Sequence, residues 1–307
     1  MPQARQIEAA AAALRGGDLV ILPTETVYGL AADARSAAAV ARIFEAKGRP
    51  RFNPLIAHVD SRRAAEDLAH FDWRARKLAA AFWPGPLTLV LGAREGGVCD
   101  LARSGLDTVA LRVPAHPLAL ALLEAFGGPL AAPSANRSGA PSPTTLADAL
   151  AETGSAAAAF LDGGPCRHGL ESTVVALLEG PPRLLRPGAT TRAAIEGIVG
   201  PLAPAEADER RSPGRLARHY APAAPLRLEA EGPLPGEAFL AFGPAQDRPG
   251  VFQLSERRDL AEAAARLFSL LRAADALHPL AIAVAPIPAE GLGEAINDRL
   301  RRGSERG

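Results

Sequence analysis

The chain has 307 residues, 48% of them hydrophobic, and its 34 basic residues balance 34 acidic ones to a formal net charge of zero. That length and apolar content suit one large domain or two smaller ones with a sizeable core. The charge balance argues against bulk electrostatic binding of nucleic acid, although a local basic patch stays open.

The two cysteines, Cys99 and Cys166, show no C-x-x-C spacing. This argues against a disulfide framework or zinc site and fits a reducing, cytoplasmic setting. No run of about 18 apolar residues suggests a membrane span. Arginine outnumbers lysine 32 to 2, as in the product of a GC-rich genome, so the scarce Lys, Asn and Tyr residues are informative. Lys47 and Asn53 share one motif, and Tyr28, Asn136 and Tyr220 each sit in another.

The opening "MPQARQIEAAAAALRGG" lacks the regions of a signal peptide and reads as an Ala-rich helix over 4–15, closed by Gly16 and Gly17. Up to about residue 192 the pattern alternates. Strands are expected at 18–23, 54–59, 86–92, 108–113, 129–132, 158–162, 172–178 and 183–186, and helices at 36–46, 61–69, 74–82, 116–126 and 144–151. Gly and Pro punctuate nearly every junction. This implies an α/β fold with a mixed sheet. After a short helix at 191–199, the Pro-, Ala- and charge-rich stretch to 224 reads as a linker. From 225 to 307 regular structure resumes as a small α/β unit, with strands at "LRLEA", "AFLAFG", "VFQLS" and "LAIAVAPIP" and helices at 258–277 and 291–302. Three domains of organisation follow: 1–192, 193–224 and 225–307.

Five stretches carry the chemistry. In "LPTETVYGL" a buried strand ends at Pro23 and presents hydroxyls and a carboxylate, either as a plain turn or as a cleft wall. "KGRPRFNPLIAHV" places Lys47, Arg49 and Arg51 within five residues after a helix that Gly48 can cap. Such cations either clamp phosphate or form a solvated loop. "PLAAPSANRSGAPSPTT" runs a strand into Ser134, Asn136, Ser138 and Ser142, where hydroxyls and backbone N–H groups can bind an anion or simply cap the next helix. In "LDTVALRVP", Arg112 between Leu111 and Val113 is costly unless paired, by a structural acid or by a carboxylate ligand. "ESTVV" and "LRPGA" flank a strand pair, and "SPGRLARHYAP" clusters Arg218, His219 and Tyr220 as a suspected lid. There is no G-x-x-x-x-G-K-[ST], H-E-x-x-H or G-x-S-x-G motif and no nucleophile with a paired base. The available chemistry is cationic and hydroxylic, suited to phosphoryl or nucleotidyl transfer.

Taken in order, "PTETVYGL", "KGRPRFNPL", "FWPGPLT", "LDTVALRVP", "APSANRSG", "ESTVV", "LRPGA" and "SPGRLARHYAP" resemble the YrdC-like family, in the longer two-domain form of the threonylcarbamoyl-AMP synthases. The resemblance is dense from residue 5 to about 222. It departs in the linker, where "SPGRLARHYAP" replaces a commoner Met and Lys-Tyr pattern while "RHYAP" is kept. It implies a YrdC-like twisted mixed sheet with a central ligand cavity, followed by a small Rossmann-like α/β domain. It also implies a reaction, in which L-threonine, bicarbonate and ATP give threonylcarbamoyl-adenylate and pyrophosphate for N6-threonylcarbamoylation of adenosine 37 in tRNA. Lys47, Arg49, Ser134 and Asn136 match its pocket tetrad, with Lys47 and Arg49 as the catalytic pair. Thr26, His58, Arg112, Ala132 (through its backbone) and Ser172 match threonine positions. Asn53, Thr108, Ser142 and Arg186 match nucleotide contacts, and His219 and Tyr220 match the lid. Magnesium is expected with ATP, no metal site or prosthetic group is expected on the protein, and the product is expected to pass to the tRNA threonylcarbamoyl transferase complex with direct tRNA binding weak or absent.

Two other readings are open at this stage. One is an RNA-binding or ribosome-maturation module using Arg42, Lys47, Arg49, Arg51, Arg62 and Arg63. The other is a carbamoyl-transfer enzyme, against which the lack of acylphosphatase-like or zinc-finger segments argues. Glu25 is expected to hold a cation of the pocket.

Overall fold

A computed structural model describes residues 3–204 and 219–305. Arg218 of the suspected lid lies outside the described residues. Strands β1 (Leu19–Leu22), β2 (Gly29–Asp33), β3 (Ile56–His58), β4 (Leu87–Gly92), β5 (Thr108–Arg112), β6 (Leu130–Ala131), β7 (Ala157–Phe160), β8 (Thr173–Ala176), β9 (Arg183–Arg186) and β10 (Ala203–Pro204) form one sheet. Their order is β10-β9-β8-β4-β5-β3-β6-β2-β1-β7. The sheet is mixed, as expected: β3 runs parallel to β5 and β4 to β8, whereas β1–β2 and β4–β5 are antiparallel.

Helices α1 (Gln3–Arg15), α2 (Ala37–Lys47), α3 (Arg62–Leu68), α4 (Trp73–Phe82), α5 (Asp100–Arg103), α6 (Pro117–Phe126), α7 (Leu146–Thr153) and α8 (Arg192–Val199) surround the sheet. Local signals set their ends. The Ser36 hydroxyl accepts from the Ala39 amide at the start of α2, and Gly48, at φ 58°, closes it in the left-handed conformation a glycine adopts without penalty. Strand β2 was not anticipated. Its sequence, Gly-Leu-Ala-Ala-Asp, holds no β-branched residue, and pairing with β1 and β6 decides its conformation.

The strands that face the site follow a period of two. Ala57, Val109, Leu111 and Val175 point into the main core. Ile56, Ala110, Val174 and Ala176 form a separate apolar cluster. His58 and Arg112 share its parity and are register partners, as are Ile56 and Ala110. The alternation that makes β3 and β5 good strands therefore sets an imidazole and a guanidinium side by side, both buried.

Within the stretch expected as linker, α8 and β10 pack onto this first sheet, and Ile195 and Leu202 join its core. The second unit is a parallel sheet of β11 (Leu226–Arg227), β12 (Glu237–Phe242), β13 (Val251–Ser255) and β14 (Ala281–Val284), in the order β11-β14-β12-β13. It carries α9 (Leu260–Asp275) and α10 (Leu292–Ser304). Among the described residues, ion pairs between the units include Arg192–Glu294 at 2.6 Å, Arg272–Glu152 at 2.8 Å and Arg299–Glu171 at 2.8 Å. No helix among the described residues is long and apolar enough to cross a membrane.

Gly188, in the "LRPGA" turn, lies against the backbone before β8. A Cβ there would sit 2.4 Å from the Glu171 carbonyl oxygen and 2.5 Å from the Thr173 nitrogen. Gly188→Ala is expected to destabilise the protein by ~1–3 kcal/mol, the usual scale for overpacking against atoms that cannot move aside, and a thermal melt reads it. An unchanged melting temperature would show that this approach is not rigid.

Candidate functional site

Residues 24–28 form one wall of a cavity at the centre of the first unit. The Thr24 hydroxyl donates to the Val27 carbonyl at 2.6 Å and accepts from the Thr26 and Val27 amides, so the side chain closes its own turn. The Tyr28 amide donates to the Pro143 carbonyl, and the Tyr28 carbonyl accepts from Ala135. The Tyr28 hydroxyl donates to the Gly164 carbonyl at 2.8 Å and accepts from the Gly163 amide at 3.1 Å. Burial pushes that phenol's pKa up, so it stays protonated as a donor. Tyr28 thus ties the wall to two loops behind it.

Arg112 lies on the cavity, and its guanidinium is already engaged. It donates to a Glu25 carboxylate oxygen at 2.5 Å, to the Thr26 hydroxyl at 2.9 Å and to the Gly85 carbonyl at 3.1 Å. The other Glu25 oxygen accepts from the Ala115 amide. Burial alone would raise the Glu25 pKa, but Arg112 overcomes it and holds the group below the usual carboxylate range. The expectation that Glu25 holds a pocket cation is met. His58 lies beside this pair with its Nδ1 buried and unpartnered. Burial and the nearby Arg112 charge push its pKa down to about 3, so it is a neutral imidazole.

On the other side, Arg49 reaches the cavity from the loop after α2. Its Nε donates to the Asn53 carbonyl at 3.4 Å and its Nη2 to the Pro54 carbonyl at 3.2 Å. Arg186 at the end of β9 donates from Nε and Nη2 to the Ser172 carbonyl, and from Nη2 to the Ser172 hydroxyl. Lys47 is buried behind the wall, its amine donating to the carbonyls of Ser134 and Asn136. Among the described residues, no carboxylate pairs with Lys47, Arg49 or Arg186. Burial pushes the Lys47 pKa well down, with Arg49 adding to the effect, and brings Arg49 down to about 10.

His219 and Tyr220, expected from the sequence as a lid, line the remaining side of the cavity. His219 and Tyr220 are buried, and their rings meet edge to face at 4.0 Å. Tyr220 stacks on Phe268 of α9 at 5.6 Å. Burial, with Arg49 and Lys47 beside it, drives His219 well below its ordinary pKa. Glu171, the first residue of the "ESTVV" stretch, also lines the cavity, a place its sequence context does not announce.

Of the residues singled out from sequence, Thr26, Arg49, His58, Arg112, Ala132 and Ser134 come together on the cavity, as do Ser172, Arg186, His219 and Tyr220. Lys47, Asn53, Thr108, Asn136 and Ser142 are buried but lie outside its lining. Ser142 donates to Glu171, and Asn136 donates to the carbonyls of Arg137 and Ala140. The supposed basic face is not one surface, because Lys47 and Arg49 are buried while Arg42 pairs with Asp18 and Arg62 with Glu66. Arg299, whose guanidinium packs against two wall residues, was missed. It is one arginine of three in an amphipathic helix, and the sequence offers nothing to single it out.

A wall of buried cations facing hydroxyls and a neutral imidazole defines a class of protein that positions anions. Residues 12–188 match the Sua5/YciO/YrdC family model, described as "Telomere recombination", and residues 190–304 match the model for the threonylcarbamoyl-AMP synthase C-terminal domain. The chain is 39% identical to the threonylcarbamoyl-AMP synthase of Bacillus subtilis, covering 97% of this chain and 92% of the relative. It is 42% identical to that of Pyrococcus abyssi, covering 97% and 94%. It also superposes on the crystal structure of P. abyssi Sua5 complexed with L-threonine with a TM-score of 0.92, at 41% identity over 98% of this chain and 94% of that one. The chain belongs to the threonylcarbamoyl-AMP synthases, enzymes that make an adenylate from ATP.

A histidine in the unfolded chain takes up its proton near pH 6.5, whereas folded His58 does so only near 3. Its contribution to stability is complete above pH 6.5 and is lost as pH falls from there through about 3, at up to ~1.4 kcal/mol per pH unit. His58→Gln is expected to flatten the stability-against-pH curve in that window without abolishing the slope, because His219 titrates in the same direction. Denaturant melts across the window read the difference, and equal slopes in both proteins would contradict the neutral, buried imidazole.

Proposed function

We infer that this chain condenses L-threonine, bicarbonate and ATP into threonylcarbamoyl-adenylate, pyrophosphate and water inside the cavity described above. The observation that carries this reading is the set of buried cations, Lys47, Arg49 and Arg186, which among the described residues are held by carbonyls and hydroxyls and by no carboxylate. Burying a charge without a counter-charge is costly, and a polyphosphate in the cavity offsets that cost.

In this reading threonine lies between Thr26, His58, Arg112, the Ala132 backbone and Ser172. The P. abyssi protein, solved with L-threonine, supports that substrate. Arg112 still has N–H groups left for a carboxylate after serving Glu25, Thr26 and Gly85, and Glu25 keeps the guanidinium in place for it. His58, neutral, accepts a hydrogen bond from the threonine ammonium. The ammonium loses a proton to solvent, and the amine attacks the carbon of bicarbonate, whose C–OH bond breaks to release water with a proton from nitrogen, or attacks CO2 formed from bicarbonate by the same loss of water; either way a carbamate results. A carbamate oxygen then attacks the α-phosphorus of ATP, the bond to the β-phosphate oxygen breaks, and pyrophosphate leaves. No enzyme nucleophile is needed. Holding the two anions in line can lower the barrier by ~7–11 kcal/mol, and Arg49 and Arg186 stabilise the charge developing on the phosphates. Ser134 adds a contact on the same wall. Lys47, Asn53, Thr108, Asn136 and Ser142 keep the wall in shape from behind and come within reach of the nucleotide as it opens.

Magnesium enters with ATP as part of the substrate. The two buried carboxylates nearest the cavity, Glu25 and Glu171, are committed to Arg112 and Arg299. The cavity has about 40 Å³ of free space, room for roughly two to four water molecules. Threonine and ATP therefore enter only when a wall moves. His219 and Tyr220, at the end of the 193–224 segment, are the proposed lid, between a catalytic domain at 1–192 and a C-terminal domain at 225–307. The product passes to a transferase that acts on tRNA, in the cytoplasm.

Pyrophosphate release from ATP and magnesium is expected to require both threonine and bicarbonate. Release without threonine, or none from folded protein, would overturn the reading. Thr26→Val removes a hydroxyl that Arg112 and Thr24 share. It is expected to raise the threonine KM roughly tenfold, the equivalent of ~1.4 kcal/mol, with the ATP KM little changed. An unchanged threonine KM would remove Thr26 from the threonine site.

A further inference from the structure

The cavity wall contains a charge of the wrong sign for a phosphate site. Glu171 lines the cavity together with Arg49 and Arg186. A free carboxylate there would repel the nucleotide's phosphates and compete with them for the two arginines. Its neutralising partner comes from the other unit. Arg299, on α10, is fully buried and donates from Nε to a Glu171 oxygen at 2.8 Å, while the other Glu171 oxygen accepts from Ser142. The remaining guanidinium nitrogens of Arg299 donate to Asp298 at 2.7 Å and to the Pro187 carbonyl at 2.9 Å. The same guanidinium lies over the Tyr220 ring, 5.0 Å from its centre. Tyr220 itself is held at a φ of 64°, unusual for a residue with a side chain. The His219 amide donates to the Arg302 carbonyl one turn along α10. One helix of the C-terminal domain therefore grips both Glu171 and the His219–Tyr220 end of the linker.

We propose that Arg299 is a positioning residue for the nucleotide: it withdraws the Glu171 carboxylate from Arg49 and Arg186 and seats Tyr220, so that the C-terminal domain completes a cavity otherwise built by the first unit. This rests on the reading of that cavity as an ATP site. The electrostatics agree with it. Burial works against ionisation of both partners, yet Arg299 foremost, with Arg186 and the Ser142 hydroxyl adding to it, holds Glu171 below the usual carboxylate range, and the surrounding Tyr220, Glu171 and Asp298 raise Arg299 above its own.

The test is calorimetric binding of magnesium–ATP, without threonine or bicarbonate, to the full-length protein and three variants. Binding by the wild type establishes the ATP site, and its absence would sink the reading on which this inference rests. Given wild-type binding, Arg299→Met is expected to weaken ATP affinity at least tenfold by leaving Glu171 free to face the cavity cations. Glu171→Gln in the same background is expected to recover most of that loss, which the mere loss of a packing contact would not allow. Arg299→Lys, which keeps the charge and is the more conservative change for folding, is expected to fall between wild type and Arg299→Met. In steady-state assays the ATP KM should move while the threonine KM stays within about threefold. ATP affinity unchanged in folded Arg299→Met, or in Arg299→Lys where the Met variant does not fold, would overturn the proposal. So would an equal loss in the double variant.

Discussion

The organising constraint among the described residues is the burial of more positive charge than the buried carboxylates beside it can meet. Lys47, Arg49, Arg112, Arg186 and Arg299 are all buried around one cavity, and the buried carboxylates beside them are Glu25 and Glu171. Those two are taken by Arg112 and Arg299. What holds the other three is backbone carbonyls and a serine hydroxyl, which satisfy donors without neutralising charge. In a medium of low dielectric constant such an arrangement persists only where packing and hydrogen bonds over-determine it. The rest of the structure does that work. The sheet supplies carbonyls at strand ends, Tyr28 ties the wall to two loops behind it, and the second unit locks the far wall.

The same constraint gives the two units a division of labour. The first sheet, through the alternation of β3 and β5, presents His58 and Arg112 on one face and keeps Ala57 and Leu111 in the core. The second unit has its own core and its own parallel sheet. Its helices nonetheless reach across: α9 supplies Phe268 under Tyr220, and α10 supplies Arg299 beneath Glu171. The interface includes one buried ion pair, Arg299–Glu171, together with partly exposed ion pairs, ring contacts and apolar packing. Breaking one partner of such a pair leaves a stranded charge, which costs more than the intact pair contributes.

Much of this was legible in the sequence, for identifiable reasons. Strands such as β4 and β5 are short, nearly continuous apolar runs bounded by Gly and Pro, so their existence could be read, whereas burial along nearly their whole length left their faces to the fold. Helix ends carry Ser36, Asp72, Thr191 or Asp259 as caps. The cation motif after α2 and the Arg inside β5 announced the site, because each is expensive anywhere else. Strand β2 was hidden, since Gly29–Asp33 has weak strand propensity and its conformation comes from its neighbours. Arg299 was hidden for a different reason. A helical arginine reads as a solvated surface residue until the fold brings Glu171 and Tyr220 against it. The engagement of Arg112 by Glu25 lay between these cases: the need for a partner could be read from Arg112, and Glu25 was named as a holder of cations, but their pairing depends on the register that joins β3, β5 and the wall.

In the proposed function, phosphate charge is what the buried cations meet. The direct measurement is the thermal stability of the protein in the presence of magnesium–ATP, pyrophosphate or adenosine at equal concentrations, since a ligand that binds the folded state raises its melting temperature. ATP and pyrophosphate are expected to stabilise the protein by several degrees and adenosine to do little. Adenosine matching ATP, with pyrophosphate inert, would show that the base and not the phosphate charge governs the site, and would contradict the account at its centre.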